Sequence, residues 1–226
     1  HYDVHSLRVC SGIISGYIIN NTSIERQVMN IVAIDDREDL FSIKELLPNE
    51  LLDELSKVDL MNIPFTKMDW QEHWNRRNFK VEPNSVFEKI SQYINSQKEL
   101  ISESIGVDID IIDPRYWLDL EGFTVNPHID NPGVKNVMQV YLSDYDNAGT
   151  NFYNIKDSEV ETKDDAQRWH YVYNENTPLE IRNSYECIKN TGYIMINNKT
   201  QLHGNPEMSL GKDAERLSLY CYLSGE

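Results

Sequence analysis

Apolar positions recur at helical spacing in two places, both within the first hundred or so residues. Pro48-Asn49 opens the first, with Leu51, Leu52, Leu55 and Val58 on one face. Asn84 is placed to cap the second, in which Val86, Ile90, Ile94, Ile101 and Ile105 recur along one side. One-sided apolar stripes of this kind are packing faces, and they point to no chemistry. An earlier apolar run, Gly12 to Ile19, has neither a basic flank nor a small-residue cleavage site. It reads as a strand rather than a signal peptide.

From about Asp108 the period shortens. Segments near 108–112, 115–120, 123–128, 136–143, 151–154, 178–182, 192–197 and 216–223 are short and rich in Ile, Val, Tyr and Leu. Turn-forming clusters separate them: Asn131-Pro132-Gly133, Asp144 to Gly149, Asn190 to Gly192 and Gly204-Asn205-Pro206. About eight short strands in this arrangement predict a mainly β jelly-roll or barrel with the helices packed outside one sheet. No internal repeat or low-complexity linker divides the chain. We expect a single domain over 1–226, with 1–107 as a helical and strand support region and 108–226 as the core. The polar interval from Lys156 to Asn176 is long for a simple connection, as lids and binding loops often are.

Charge narrows the partners. The net charge of −16 repels phosphate backbones and anionic membranes. The nearest basic patch, Arg76-Arg77 with Lys80, is diluted by Glu72 and Glu82. Nucleic acid is therefore a poor partner, and no stretch approaches the roughly 18 apolar residues of a membrane span. Cys10, Cys187 and Cys221 are widely spaced, odd in number and without a CxxC pair, which fits a reducing, cytoplasmic setting. Cys221 lies in an apolar run and reads as a small buried side chain. No motif fixes an oligomeric state.

The candidate chemistry sits in the last hundred residues. His128 and Asp130 are two apart, so on an extended strand both side chains leave the same face. His203 would come from a facing strand or the loop after Tyr193–Asn197. Two imidazoles and one carboxylate on one face of an octahedral ion form the ligand set of non-heme Fe(II) oxygenases. An HxD triplet occurs by chance, and a lone histidine is more often hydrogen-bonded than ligating. What raises the odds is their order together with Arg216-Leu217-Ser218. Strand alternation puts Arg216, Ser218, Tyr220 and Tyr222 on one face. If that face points inward, the buried guanidinium needs an anion, which a dicarboxylate would supply. If it points outward, Arg216 is a surface residue paired with Glu215.

Residues from Tyr116 onward resemble the Fe(II)/2-oxoglutarate-dependent dioxygenase superfamily, in its prolyl 4-hydroxylase-like branch. The match rests on Asn126-Pro127-His128-Ile129-Asp130, Val140-Tyr141-Leu142-Ser143-Asp144, Ala148-Gly149-Thr150-Asn151-Phe152, Gly192-Tyr193-Ile194-Met195-Ile196, Leu202-His203-Gly204 and Arg216-Leu217-Ser218. It covers about half the chain in the family's order. The resemblance implies a double-stranded β-helix (jelly-roll, cupin-like) with His128, Asp130 and His203 as iron ligands. It further implies that Arg216 and Ser218 hold the distal carboxylate of 2-oxoglutarate and that Tyr141 also contacts it. The reaction expected is hydroxylation of an aliphatic C–H, consuming dioxygen and converting 2-oxoglutarate to succinate.

Two departures stand out. Ala148-Gly149 replaces paired glycines, and Tyr116 and Trp117 compete for the place of an upstream aromatic residue. The substrate would be a peptide or protein residue of prolyl type, or a small molecule. Trp169, His170, Tyr171 and Tyr173, and Trp70, Trp74, Arg76 and Arg77, are candidates for a lid or peptide site, with loop anchoring as the alternative. Two other functions compete: a cupin-type metalloenzyme that uses no 2-oxo acid, and a non-enzymatic jelly-roll binding module.

Overall fold

The short-period stretches pair into two antiparallel sheets that face each other, in a computed structural model describing residues 29–34, 37–63, 65–66, 75–79, 81–134, 136–163, 168–171, 178–208 and 210–225. In chain order the elements of the first half are β1 (Asn30–Ala33), β2 (Leu40–Lys44), α1 (Asn49–Leu55), β3 (Phe65–Thr66), β4 (Arg76–Phe79), α2 (Val86–Ser96) and α3 (Lys98–Ile105). Then follow β5 (Ile111–Asp119), β6 (Val125–His128), β7 (Asn136–Tyr141), β8 (Tyr145–Asn154), β9 (Val160–Lys163) and β10 (Arg168–Tyr171). The last are β11 (Glu180–Cys187), β12 (Thr191–Ile196), β13 (His203–Asn205) and β14 (Arg216–Ser224). The large sheet runs β1-β2-β12-β7-β14-β5-β4-β3 and the small one β11-β8-β13-β6, with β9 and β10 forming a separate hairpin. This is the expected mainly β, double-stranded β-helix architecture with flanking helices.

Alternation along the large sheet divides its two faces. One face gathers Leu118, Met138, Val140, Leu219 and Cys221 against Phe87, Ile90 and Ile94 of α2. Burying each such side chain contributes about 1.5–3 kcal/mol. The other face looks toward the small sheet, where Phe152 of β8 meets Tyr193 of β12 edge-on, with centroids 5.1 Å apart. Strand β7 is buried at every position because it is covered on both sides. Tyr116 belongs to the helix face. Its hydroxyl donates to the Phe87 carbonyl at 2.8 Å, and the two rings meet edge-on at 4.9 Å.

Several sequence expectations shift. The helix-cap hydroxyl is Ser85, which accepts from the Glu88 N–H at 3.2 Å; Asn84 instead adopts a left-handed φ of 62° and donates its N–H to the Glu88 carboxylate. The long apolar stripe is two helices, broken at Gln97, and α3 ends on Gly106 at φ 67°. The segments near 108–112 and 115–120 merge into β5, which tolerates Pro114 because β4 reaches only residues 117–119. The cluster Asp144 to Gly149 is mostly strand, drawn into β8 by pairing with β11. The run Gly12 to Ile19 lies outside the described residues. Cys187 and Cys221 are free and buried. No helix among the described residues is long and apolar enough to cross a membrane.

Candidate active site

His128 ends β6, His203 opens β13, and the two residues pair directly across the strands with ring centroids 4.4 Å apart. Asp130 follows His128 on the same edge. One ligand atom from each of the three falls within 4.8 Å of the others. Each imidazole is held by the backbone just before it. Nδ1 of His128 lies 2.9 Å from the Asn126 carbonyl, and Nδ1 of His203 lies 2.9 Å from the Gln201 carbonyl. A carbonyl can only accept, so both Nδ1 atoms carry the proton and both Nε2 lone pairs are free to bind a cation. Nε2 of His128 stands 3.6 Å from an Asp130 oxygen. The Tyr220 hydroxyl, from β14, donates to the other Asp130 oxygen at 3.4 Å.

Electrostatics sets the two histidines apart. Burial, with His128 beside it, pushes His203 down to about 4, so its imidazole is neutral at pH 7. Desolvation also works against a charged His128, but hydrogen bonding and attraction to Asp130 outweigh it and raise its pKa. Asp130 loses some stability as an anion through burial, yet His128 and His203 hold its pKa below the usual carboxylate range.

A second charged group faces the first from the large sheet. Register places Arg76 of β4 and Arg216 of β14 on either side of Asp119 of β5, as one row across three strands. Arg76 grips both Asp119 oxygens, Nε to Oδ1 at 2.5 Å and Nη2 to Oδ2 at 3.1 Å. Arg216 uses only Oδ2, from Nη2 at 2.6 Å and Nε at 3.1 Å, and its Nη1 donates to the Ala148 carbonyl and contacts the Met208 sulfur. Burial would raise the Asp119 pKa, but the two guanidiniums depress it overall. Both cations lie close to the Phe123 ring, Arg76 at 4.2 Å and Arg216 at 5.3 Å. Two cations against one anion leave a surplus positive charge at this end of the barrel.

The three donors and the two arginines line one cavity of about 340 Å³, together with Trp117 and Thr150. That is within the roughly 300–1,000 Å³ of small-molecule sites. Ser218, one step along the same face of β14 from Arg216, is fully buried, and its Oγ has no hydrogen-bond partner among the described residues. A metal-ready donor set, a cationic wall and an orphaned buried hydroxyl fit an ion with an anionic chelate. Gly149 admits no side chain here, since an added Cβ would fall 1.6 Å from the Tyr185 carbonyl oxygen.

No protein-family model matches the chain, and no curated protein matches it by sequence. Solved structures do match. A Pseudomonas putida prolyl-4-hydroxylase aligns over 83% of this chain and 93% of its own, with TM-score 0.54 and 11% identity. A Trichoplax adhaerens prolyl hydroxylase in complex with a hypoxia-inducible-factor peptide fragment aligns over 82% and 83%, with TM-score 0.54 and 13% identity. HygX from Streptomyces hygroscopicus, with nickel and 2-oxoglutarate bound, aligns over 84% and 87%, with TM-score 0.51 and 9% identity. The chain has the 2-oxoglutarate/Fe(II) oxygenase fold.

Within this oxygenase fold, His128, Asp130 and His203 converge, with His203 on a facing strand of three residues. Arg216 turns inward, but the chain supplies an anion of its own, Asp119, which the sequence did not single out. Arg76 likewise turns into the cavity, with its side chain only 15% exposed, and does not form a surface patch. Trp117 lines the cavity and Tyr116 packs on the helices, as strand parity requires of neighbours in one strand. Tyr141 is buried with its hydroxyl 2.8 Å from that of Thr150, and its ring centre is 5.9 Å from the Arg216 guanidinium carbon. Trp169 and Tyr171 pack against Ile129, Tyr153 and Leu202. That is the anchoring alternative. Trp70, Trp74 and Tyr173 lie outside the described residues.

Proposed function

We propose that the protein is an Fe(II)- and 2-oxoglutarate-dependent oxygenase that hydroxylates an aliphatic C–H of a peptidyl residue or a small molecule. The observation that carries this reading is the shared cavity: His128, Asp130 and His203 on one wall, a buried surplus cation at Arg216 on the other. His128 and His203 would bind iron through Nε2, with both rings held by backbone carbonyls. Asp130 would offset part of the metal's charge. Arg216 and Ser218 would hold the distal carboxylate of 2-oxoglutarate, with Tyr141 and Thr150 beside them. When bound, iron and 2-oxoglutarate with dioxygen supply the oxidising power for C–H hydroxylation, yielding succinate and CO2.

The apolar end around Phe123, Met208 and Leu210 excludes water from the charged row, which strengthens its hold on an anion. Peptide and small-molecule substrates both remain within this reading: among proteins of this fold, the Trichoplax enzyme is seen with a peptide and HygX with hygromycin B. The test is anaerobic titration of Fe(II) and 2-oxoglutarate, watching for the visible charge-transfer band of a chelated 2-oxo acid. A band that needs both components and is lost in Arg216→Ala is the expected result. Metal binding without a band would favour a cupin-type enzyme, and no metal binding would leave a jelly-roll binding module.

A further inference from the structure

We infer that Arg76 is a positioning residue for the anionic cosubstrate: it takes up the charge of Asp119 and so keeps Arg216 available to a carboxylate. This rests on the reading of the cavity as a 2-oxoglutarate site. Asp119 is fully buried and lies directly between the two guanidiniums. Alone with Arg216 it would form a neutral pair, and that wall of the cavity would offer an entering dianion no surplus positive charge. Arg76 spans both Asp119 oxygens while Arg216 meets only Oδ2, through Nε and Nη2, so Asp119 is shared and the row keeps a positive charge that Arg216 alone would not carry.

The charges then match. A divalent ion held by Asp130 and two neutral imidazoles carries one surplus positive charge, the row carries another, and a dicarboxylate brings two negative charges. Asp119 in turn fixes the Arg216 side chain through Nε and Nη2, so the guanidinium is oriented before any ligand arrives. Arg76 comes from β4, outside the segment that resembles the oxygenases in sequence.

The experiment is calorimetric titration of 2-oxoglutarate into the Mn(II)-loaded protein, with Mn(II) affinity measured alongside. Arg76→Gln should weaken 2-oxoglutarate roughly tenfold or more without weakening Mn(II) binding, because it removes the row's surplus positive charge and takes away no metal donor. Adding Asp119→Asn to Arg76→Gln should restore binding to within about threefold of wild type, since both charges are then removed together. A merely structural role predicts no such rescue. Wild-type affinity in Arg76→Gln, or a double variant as weak as the single one, would overturn the inference. If Arg76→Gln does not fold, the double variant and Arg76→Lys carry the test, and weak binding by either overturns it. A wild-type protein that binds Mn(II) but not 2-oxoglutarate would overturn the proposed function itself, and this inference with it.

Discussion

On the small sheet, His128, Asp130 and His203 meet at the ends of short strands, and each imidazole is oriented by a carbonyl two residues before it. On the large sheet, Arg76, Asp119 and Arg216 come from three strands, with 43 and 97 residues separating the hydrogen-bonded partners, and only register aligns them. The first group is built locally and stands partly open, with the His128 side chain 45% exposed. The second is built by the whole sheet and is closed, with the Asp119 side chain fully buried. The donor set should therefore be removable at little cost to the fold, whereas the charged row should not.

The largest effect expected on that contrast is functional. His128→Ala should abolish turnover and metal binding while changing metal-free stability by no more than about 1 kcal/mol, as for other partly exposed positions. Metal affinity by calorimetry and a urea midpoint decide it; retained turnover would remove His128 from the ligand set. Next comes Asp119→Ala, which strands two buried guanidiniums. It should destabilise the protein by about 3–5 kcal/mol, the usual cost of breaking a buried ion pair from one side. A urea midpoint close to wild type would mean that the row is not held by charge.

That contrast also explains what could be read from the chain. The HxD pair, the shared face of Arg216 and Ser218 and the helix faces follow from local spacing, which is visible in a sequence; whether Arg216 points inward does not. Asp119 gave no such signal, and Arg76 only that of a diluted basic patch or a lid or peptide candidate. Asp119 looks like one acid among many, and Arg76 looked like part of a weak surface patch until β4 was seen to pair with β5. Strand β13 was missed because three residues are too few to show alternation. The break at Gln97 has no glycine or proline to announce it. Thr150 was missed as a cavity residue because its partner, Tyr141, lies on the opposite sheet.

A third test uses acid. His203 is held down to about 4 in the folded protein, below its ordinary 6.5. As pH falls from 6.5 toward 4, the unfolded chain takes up a proton that the folded one refuses. Stability should therefore be lost across that window and be flat above it, by up to about 3 kcal/mol. His128 works the other way: its raised pKa gives stability at low pH that is lost as pH rises through the folded value. The comparison of metal-free wild type with His203→Asn isolates the first contribution. Equal acid sensitivity in the two proteins would show that His203 is not buried as a neutral base.

The smallest effect expected is at the one hydrogen bond described between the two groups' sheets at the metal site. Tyr220 shares a strand and a face with Arg216 and Ser218, yet its hydroxyl reaches Asp130 on the opposite wall at 3.4 Å. A bond that long orients more than it stabilises. Tyr220→Phe keeps the ring against Tyr222, so packing survives and only the donor to the carboxylate is lost. Outer partners of metal ligands typically matter by 10- to 100-fold in affinity, and this one should fall at or below the lower end, about tenfold. Mn(II) calorimetry reads it directly, with 2-oxoglutarate affinity at saturating metal as the internal control. If both affinities fall together, Tyr220 supports the shared cavity as a whole. If metal affinity alone falls, the hydroxyl acts on Asp130, and the large sheet reaches the metal donors through that carboxylate.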